Sequence, residues 1–557
     1  MRHIYLFAFA TCIIIITGCL DIHGQELYSP KLQKQLKINV RKVRSTCVVL
    51  TEFDSIKQTY SGRFSGVVVS KDGIILTAAH AAHKGKIYKV KFPDGRTCSA
   101  IGVGEMPQID GAMLQITETG NYPYARIDCL GGPDIDQPCF SLSYPYSFNP
   151  SKLILRYGKV NNLWADHTGK FSSSCLMEPG DSGGPLFNLN GEVIGIHSRV
   201  GLALDSNYEV PINQFIKHWE ALKIKKKYDA FPISGISPLN STGFNDKPLG
   251  SKNNDFIKLA TRLRGFSVNL TSKIRGKEVN VLGTMIEYKG LIVSKNSMIG
   301  DSAKVLINGM QEDDCNVIFR DEGKDLVLLQ QPSRLNKGVK LKLIDGNLVS
   351  TSSVGDFLFS PRSIDEYVNS VIGSGTFDLD PPNTYPAFIG ADFQWVGDRV
   401  LLASVLPDYA ANIAQLKDGD ELESINGTII NSVAEAHRML KEQKPGNEIV
   451  IVTIRAGVRK RAGIVLGKRP LPSRNAIVHV AERFLDGKSI RKDGFENIFV
   501  HDARLKPSDC GGPVFDMKGK FVGINMARYS RTSSIALNAV EVKRFIEGYL
   551  LSIKGKD

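Results

Sequence analysis

The sequence predicts a mostly β protein: two double β-barrel domains in succession, with a smaller domain inserted in the second. Three observations predict it. Short runs of Val, Ile and Leu alternate with Gly, Pro, Asp and Asn along the chain, as in antiparallel barrels rather than a parallel α/β sheet. The pattern of residues 66–197 returns over 283–525. Between corresponding positions the second copy is 113 residues longer than the first, room for one further domain.

In chain order, Met1-Arg2-His3 is a short positive segment and Ile4–Ile16 an apolar stretch too short to span a bilayer comfortably. Residues 1–19 are therefore read as an export signal peptide. It ends in Ile16-Thr17-Gly18-Cys19, which resembles a bacterial lipobox with Cys19 as the lipid-bearing residue; cleavage nearby, for instance after Gly24, is the alternative. Either way the mature chain is expected in the bacterial cell envelope, periplasmic or membrane-anchored, or secreted.

Composition is that of a globular protein: 557 residues, too long for one core, with 42% hydrophobic and 23% charged residues. This excludes long disorder and a multi-spanning membrane protein. The net charge of +13 is scattered, so no nucleic acid partner is expected. The one run, Lys223-Ile224-Lys225-Lys226-Lys227, reads as the solvated end of a helix spanning about Asn213–Lys227. Beyond Cys12 and Cys19 seven cysteines remain, an odd number that cannot pair fully within one chain, although Cys129 and Cys139 are close enough in sequence to bridge. No CxxC or paired-His spacing points to a metal, and no cofactor is expected.

The first double barrel is placed at 45–228, after a helix near Pro30–Arg44. Strand-like runs include Cys47–Leu50, Gly66–Val69 and Ile74–Leu76, with a hairpin turn at Ser70-Lys71-Asp72-Gly73. His80 follows Thr77-Ala78-Ala79, just past the third strand. Asp110 opens Gly111-Ala112-Met113-Leu114-Gln115-Ile116. Ser182 lies in Gly180-Asp181-Ser182-Gly183-Gly184-Pro185, before Glu192–His197. A serine hydroxyl is a weak nucleophile until an imidazole takes its proton, and the imidazole needs a buried carboxylate to orient it. Glycines beside the serine let the chain bend so that the Gly180 and Ser182 N–H groups can face a developing oxyanion.

These motifs, over residues 45–225, resemble trypsin-like serine proteases, and within them the HtrA/Deg type. The resemblance implies a chymotrypsin-like fold with His80 as general base and acid, Asp110 as its orienting acid, Ser182 as nucleophile and Gly180 with Ser182 as the oxyanion hole. His83 is taken as an ordinary surface histidine. Two departures stand out. Asp181 occupies a place where HtrA proteases usually carry Asn; in trypsin this acid pairs with a new N-terminus, which the long segment preceding the domain here disfavours. For the first specificity pocket, Leu176 at its base implies apolar or small side chains, whereas His197 resembles the carboxylate-binding histidine of glutamyl endopeptidases. The apolar preference is favoured because Met177 and Glu178 make a poor anion pocket.

Residues 229–254 read as a linker, rich in Pro, Gly, Ser and Asn. In the second copy Gly283–Val293 mirrors Gly66–Leu76, Asp325 mirrors Asp110, and Ser508-Asp509-Cys510-Gly511-Gly512-Pro513 mirrors the nucleophile loop. The position of His80 falls on Ser297, and His501 lies elsewhere in the repeat. Without an imidazole to lower its thiol pKa, Cys510 is expected to be structural or redox-sensitive rather than catalytic. This degenerate domain is split into 255–380 and 471–557.

The insertion, 381–470, carries Phe388-Ile389-Gly390-Ala391-Asp392-Phe393, then Leu416–Leu422, an Ile425-Asn426-Gly427-Thr428 hairpin, a helix near Ser432–Glu442 and a strand Glu448–Arg455. This resembles a PDZ domain and implies that the loop Phe388, Ile389, Gly390 takes peptide C-termini or extended segments by strand addition.

The expectation is an exported serine endopeptidase that cleaves unfolded or exposed polypeptides through an acyl-enzyme, with the PDZ-like domain binding substrate or regulating. The alternative is a non-catalytic envelope binding or chaperone module with a latched first domain. Polypeptides are the expected partners, with a membrane contact through Cys19. Homo-oligomerisation is left open.

Overall fold

The computed structural model describes residues 27–554 apart from 55–58, 130–131, 149–150, 167, 232–253, 308–310, 333–336, 345, 348, 363–365, 380–386, 469–483 and 485. The signal segment with Cys19 and most of the expected linker lie outside the described residues. Among the described residues no helix is long and apolar enough to cross a membrane.

The protein is mostly β, and each copy opens in the same way. A helix and a 3-10 turn lead into a strand: Pro30–Val43, Arg44–Thr46, Cys47–Asp54 in the first, and Asn254–Leu263, Arg264–Phe266, Ser267–Ile274 in the second. Six antiparallel strands then close a barrel with the same strand order in both copies. In the first barrel Leu76 pairs with Met113 and Thr77 with Ala112; in the second Val293 pairs with Leu328 and Ser294 with Val327. This register makes Asp325 the counterpart of Asp110 and Ser297 that of His80. Both aspartates adopt φ near +60°, a left-handed conformation that Asp tolerates better than most residues.

Behind each barrel lies a seven-stranded sheet. In the first copy it contains Pro138–Ser143, Ile154–Asn162, Phe171–Ser173, Pro185–Asn188, Glu192–Val200 and Asn207–Pro211. The second copy supplies Phe357–Pro361, Tyr367–Val371, Phe495–His501, Pro513–Asp516, Phe521–Arg528 and Ser534–Asn538. Between Phe377–Leu379 and Phe495–His501 stands a third unit, a sheet with the helix Val433–Lys441. Its short strands Ala387–Phe388 and Gly467–Lys468 pair with each other, so the unit leaves the host close to where it enters. The corresponding place in the first copy is the loop 163–170.

The two copies pack directly. Tyr157 N–H donates to Asp502 Oδ2 at 2.8 Å, Leu155 N–H to Gly373 O at 3.1 Å, and Phe148 stacks on Tyr529 with ring centres 4.8 Å apart. The helix Pro30–Val43, capped by Ser29, buries Leu36, Val40 and Val43 in the first copy's core and reaches the second through Lys37, 2.5 Å from Asp356.

Two expectations are corrected. The closing helix breaks at His218 into Ile212–Lys217 and Trp219–Leu222, and the basic run lies beyond it. The run is instead laid along the barrel: Lys226 N–H donates to Val103 O at 3.2 Å, and Glu105 N–H to Lys226 O at 3.0 Å. A backbone docked on a strand edge cannot also close helical hydrogen bonds. Nor is Cys139 next to Cys129 in space. Cys139 Sγ lies 4.0 Å from Cys175 Sγ, both buried, while the exposed Cys129 thiol donates to Ile127 O.

Candidate active site

His80 sits just past the strand Ile74–Ala78, and Asp110 just before Gly111–Ile116, which pairs with that strand. The Asp110 carbonyl accepts Ala79 N–H at 3.1 Å and its carboxylate accepts His80 N–H at 2.9 Å, so the backbone fixes both residues before their side chains meet. His80 Nδ1 then lies 2.9 Å from Asp110 Oδ2, and Nε2 lies 3.0 Å from Ser182 Oγ. Ser198 Oγ donates to the same Asp110 oxygen at 2.5 Å. Burial pushes the Asp110 carboxyl up, but His80 and the Ser198 hydroxyl outweigh it and hold it below the usual carboxylate range. The acid is thus ionised at neutral pH and fixes the imidazole with Nδ1 as donor and Nε2 free to accept from Ser182.

Ser182 is carried between the first copy's barrel and the seven-stranded sheet behind it. Its carbonyl accepts Ser65 N–H at 3.0 Å, and Gly183 N–H donates to His197 O at 2.8 Å. Gly183 has φ +82° and passes so close to Thr77 Oγ1 and Ser65 O that a β-carbon would overlap both. Gly180, at φ +97°, is pressed against the backbone of Tyr144 and Tyr146. The Pro179 carbonyl accepts Tyr146 N–H at 2.7 Å. In a trans peptide the C=O and the following N–H point in opposite directions, so the Gly180 N–H faces away from Tyr146. Gly180 and Ser182 both line a cleft of about 1140 Å³ together with His80 and Asp110.

Asp181 is wholly buried and paired with a residue that the sequence reading did not single out. Arg156, also 0% exposed, places Nη1 3.0 Å from Asp181 Oδ2. Ser143 Oγ donates to Oδ1 and Glu178 N–H to Oδ2, each at 2.8 Å. Burial pushes the Asp181 carboxyl up to about 6 against the pull of Arg156. The signal in the sequence was a lone arginine inside the apolar strand Leu153-Ile154-Leu155-Arg156-Tyr157.

Neither residue named for the specificity pocket reaches the cleft. Leu176 and His197 are buried and absent from its lining, which includes Met177, Glu178, Pro179, Ser198, Arg199 and Val200 as well as Thr168 and Lys170. His197 points into the sheet, its Nδ1 3.7 Å from buried Glu209. Burial, with the charge of Arg156, lowers its pKa to about 3 and leaves it neutral. His83, expected to be an ordinary surface residue, lines the cleft next to buried Glu105, which also pairs with Lys227 at 3.0 Å.

In the second copy the equivalent centre is closed. Ser297 N–H donates to Asp325 Oδ1 at 2.6 Å, repeating the His80 backbone contact. The Asp325 charge is met instead by Lys295, buried, with Nζ 2.5 Å from Oδ2. Cys510 is 0% exposed, and burial raises its thiol pKa despite Lys295.

In the inserted unit, Phe388 and Ile389 are buried, and their neighbour Gly390 at φ +88° is packed against Tyr409. Ile389 O and Gly390 O accept Ala411 N–H and Leu406 N–H, which fixes the loop. The strand Asp392–Val396 that follows is at the edge of its sheet. Among the described residues no cluster of His, Cys, Asp and Glu could hold a metal ion.

Comparison with known proteins matches residues 64–196 to the trypsin-like peptidase domain and residues 387–466 to the PDZ domain. A "Probable periplasmic serine endoprotease DegP-like" from Hahella chejuensis is 23% identical over 406 residues, 71% of this chain and 78% of that protein. The protein of the same name from Halomonas elongata is 31% identical over 155 residues, 27% of this chain and 32% of that protein. Among solved structures, the serine endoprotease from Yersinia pestis aligns with 80% of this chain and 100% of its own, at 15% identity and a TM-score of 0.31. The chain is a trypsin-like serine endopeptidase of the HtrA type with a PDZ domain.

Proposed function

We propose that this protein is an exported endopeptidase of the bacterial envelope that cleaves unfolded or exposed polypeptides, with residues 45–228 as its catalytic domain. Ser182 Oγ attacks the substrate carbonyl while His80 Nε2 takes its proton, and Asp110 steadies the imidazolium through Nδ1. The N–H groups of Gly180 and Ser182 receive the oxyanion of the tetrahedral intermediate. His80 then gives its proton to the leaving amine, and an acyl-enzyme forms on Ser182. A water molecule, deprotonated by His80, releases the acid product by the same route.

The observation that carries this reading is the pair of contacts at 3.0 and 2.9 Å linking Ser182, His80 and Asp110 in one line. The orientation of the Pro179–Gly180 peptide favours a working site over a latched one. At about 1140 Å³ the cleft exceeds the roughly 300–1,000 Å³ of a small-molecule pocket and suits an extended chain. The PDZ domain would supply a second site for peptide ends or extended segments, at the edge strand Asp392–Val396 behind the loop Phe388, Ile389, Gly390. Residues 255–380 and 471–557 form a non-catalytic partner domain in this reading, and Cys19 would tether the chain to the membrane. Names of relatives that include "periplasmic" support the envelope location.

The test is cleavage of reduced, unfolded casein by the mature protein beside Ser182→Ala. Fragments with the wild type and none with Ser182→Ala are expected; equal cleavage by both would refute it.

A further inference from the structure

The oxyanion loop of the first copy is braced by the second. In the first copy the turn joining Glu192–Val200 to Asn207–Pro211 is exposed, with Leu202 at 68%. The same turn in the second copy, Tyr529–Ser533, is buried between the copies, and Thr532 is 0% exposed. Thr532 Oγ1 accepts from Arg156 Nη2 at 3.0 Å and donates to Glu178 Oε2 at 3.0 Å. Glu178 in turn accepts from the Ser147 hydroxyl and from Ser147 N–H, and its own N–H donates to Asp181 Oδ2. Arg156 closes the ring on Asp181. One hydroxyl, able to accept and to donate at once, thereby joins a buried cation to a buried anion.

Further contacts seat the turn. Tyr529 OH donates to Ser147 O at 2.8 Å, and Arg531 Nη2 to Ala203 O at 2.6 Å. Arg504 reaches Asp205 at 2.5 Å and Ser174 O at 3.3 Å. Glu178 is separated by Pro179 alone from Gly180, whose N–H orientation decides whether an oxyanion is received. Without the Thr532 hydroxyl, Arg156 Nη2 and Glu178 Oε2 each lose a buried partner, and the ring that fixes residues 178–181 opens.

We propose that the second, base-less copy is a resident activator of the first: through Thr532 it holds the Glu178–Asp181 turn in the conformation that aims the Gly180 N–H into the cleft. Thr532 is a positioning residue, and its role rests on Ser182 being the nucleophile.

The test uses the full mature chain and three variants. Thr532→Val keeps the shape and removes the hydroxyl, Thr532→Ser keeps the hydroxyl, and Tyr529→Phe removes only the bond to Ser147 O. The readouts are the rate of fluorophosphonate labelling, kcat and KM on a peptide substrate, amide exchange over 177–182, and the melting temperature. Loss of one oxyanion donor costs about 10²–10³ in kcat, so a loosened loop should cost about tenfold or more. Thr532→Val is expected to lower labelling and kcat by that factor at nearly unchanged KM, with faster exchange at 177–182. Thr532→Ser should behave as the wild type. If Thr532→Val fails to fold, slower labelling of folded Tyr529→Phe supports the proposal, and labelling at the wild-type rate overturns it. A folded Thr532→Val that labels like a labelled wild type overturns the activator role alone. A wild type that does not label, although folded, overturns the reading of Ser182 and this proposal with it.

Discussion

Replacing Arg156 by methionine should unmake the site from beneath. The residue touches no substrate, but it is the cation that Asp181 depends on, and both are 0% exposed at 3.0 Å. Removing one member of such a pair leaves an uncompensated buried charge, at a cost of about 3–5 kcal/mol. For a domain of this size that is roughly a 6–20 °C fall in melting temperature. The loss should grow with rising pH: with Arg156 in place Asp181 ionises at about 6, and without that cation burial pushes it higher still, so at lower pH the carboxyl escapes its isolation by protonating. A second change, Asp181→Asn, removes the stranded charge, so Arg156→Met/Asp181→Asn should recover at least about 2 kcal/mol relative to Arg156→Met. Denaturant unfolding of the four proteins at pH 7.5 and pH 5 gives the full cycle. A cost within about 1 kcal/mol, the size of a solvent-exposed pair, would refute the argument. So would a double variant no more stable than Arg156→Met.

Two further outcomes are expected. Lys295→Met takes the partner at 2.5 Å from buried Asp325 and leaves it the partly exposed Arg491 at 3.7 Å, so it should destabilise the second copy by up to about 3 kcal/mol, with Lys295→Met/Asp325→Asn recovering part of it in thermal unfolding. The second outcome concerns acid stability. Burial lowers His197 and His501 to about 3, so the unfolded chain, titrating near 6.5, binds protons that the folded one refuses, and stability falls as pH drops from 6.5 toward 3. Burial raises Asp181 and Asp502 to about 6, so between 6 and about 4 the folded chain holds protons that the unfolded one has released, which acts the other way. The two effects cancel across that window. Below about pH 4 the two histidines outlast the two aspartates and contribute a loss of about 2.7 kcal/mol per pH unit, to which carboxylates held low, such as Asp110, add theirs. His501→Asn should reduce the slope by about 1.4 kcal/mol per pH unit in acid unfolding monitored by circular dichroism.

The elements, those of the inserted domain most plainly, were legible because they are bounded by turn and cap residues with a mechanism. Asn426-Gly427 supplies the positive φ of a tight hairpin, and Ser432 caps the helix Val433–Lys441. Excess length between Asp325 and Cys510 located the insertion, since a repeat keeps its spacing unless something is added. His80, Asp110 and Ser182 could be read because each stands at the edge of a strand, where local sequence fixes local backbone. What escaped was long-range. Nothing near Asp181 names Arg156, and nothing near Arg156 names Thr532, 376 positions away. Lys295 replaces the charge of a lost imidazole through a strand register that becomes visible only once Ser294 is paired with Val327. Leu176 and His197 lie near Ser182 in sequence, but nearness along the chain does not say whether a side chain turns to the cleft or into the core. The helix over 213–227 failed because strand-edge hydrogen bonds to Val103 and Glu105 overrode helical periodicity.

The central claim, a Ser182 nucleophile beside an open oxyanion hole, is tested most directly by exposing the folded mature protein to a fluorophosphonate and locating the adduct by mass spectrometry. The account predicts one phosphonyl group per chain, on Ser182, none on Cys510, and none anywhere in folded His80→Ala. An unlabelled Ser182 in the folded wild type, or labelling that persists without His80, would contradict it.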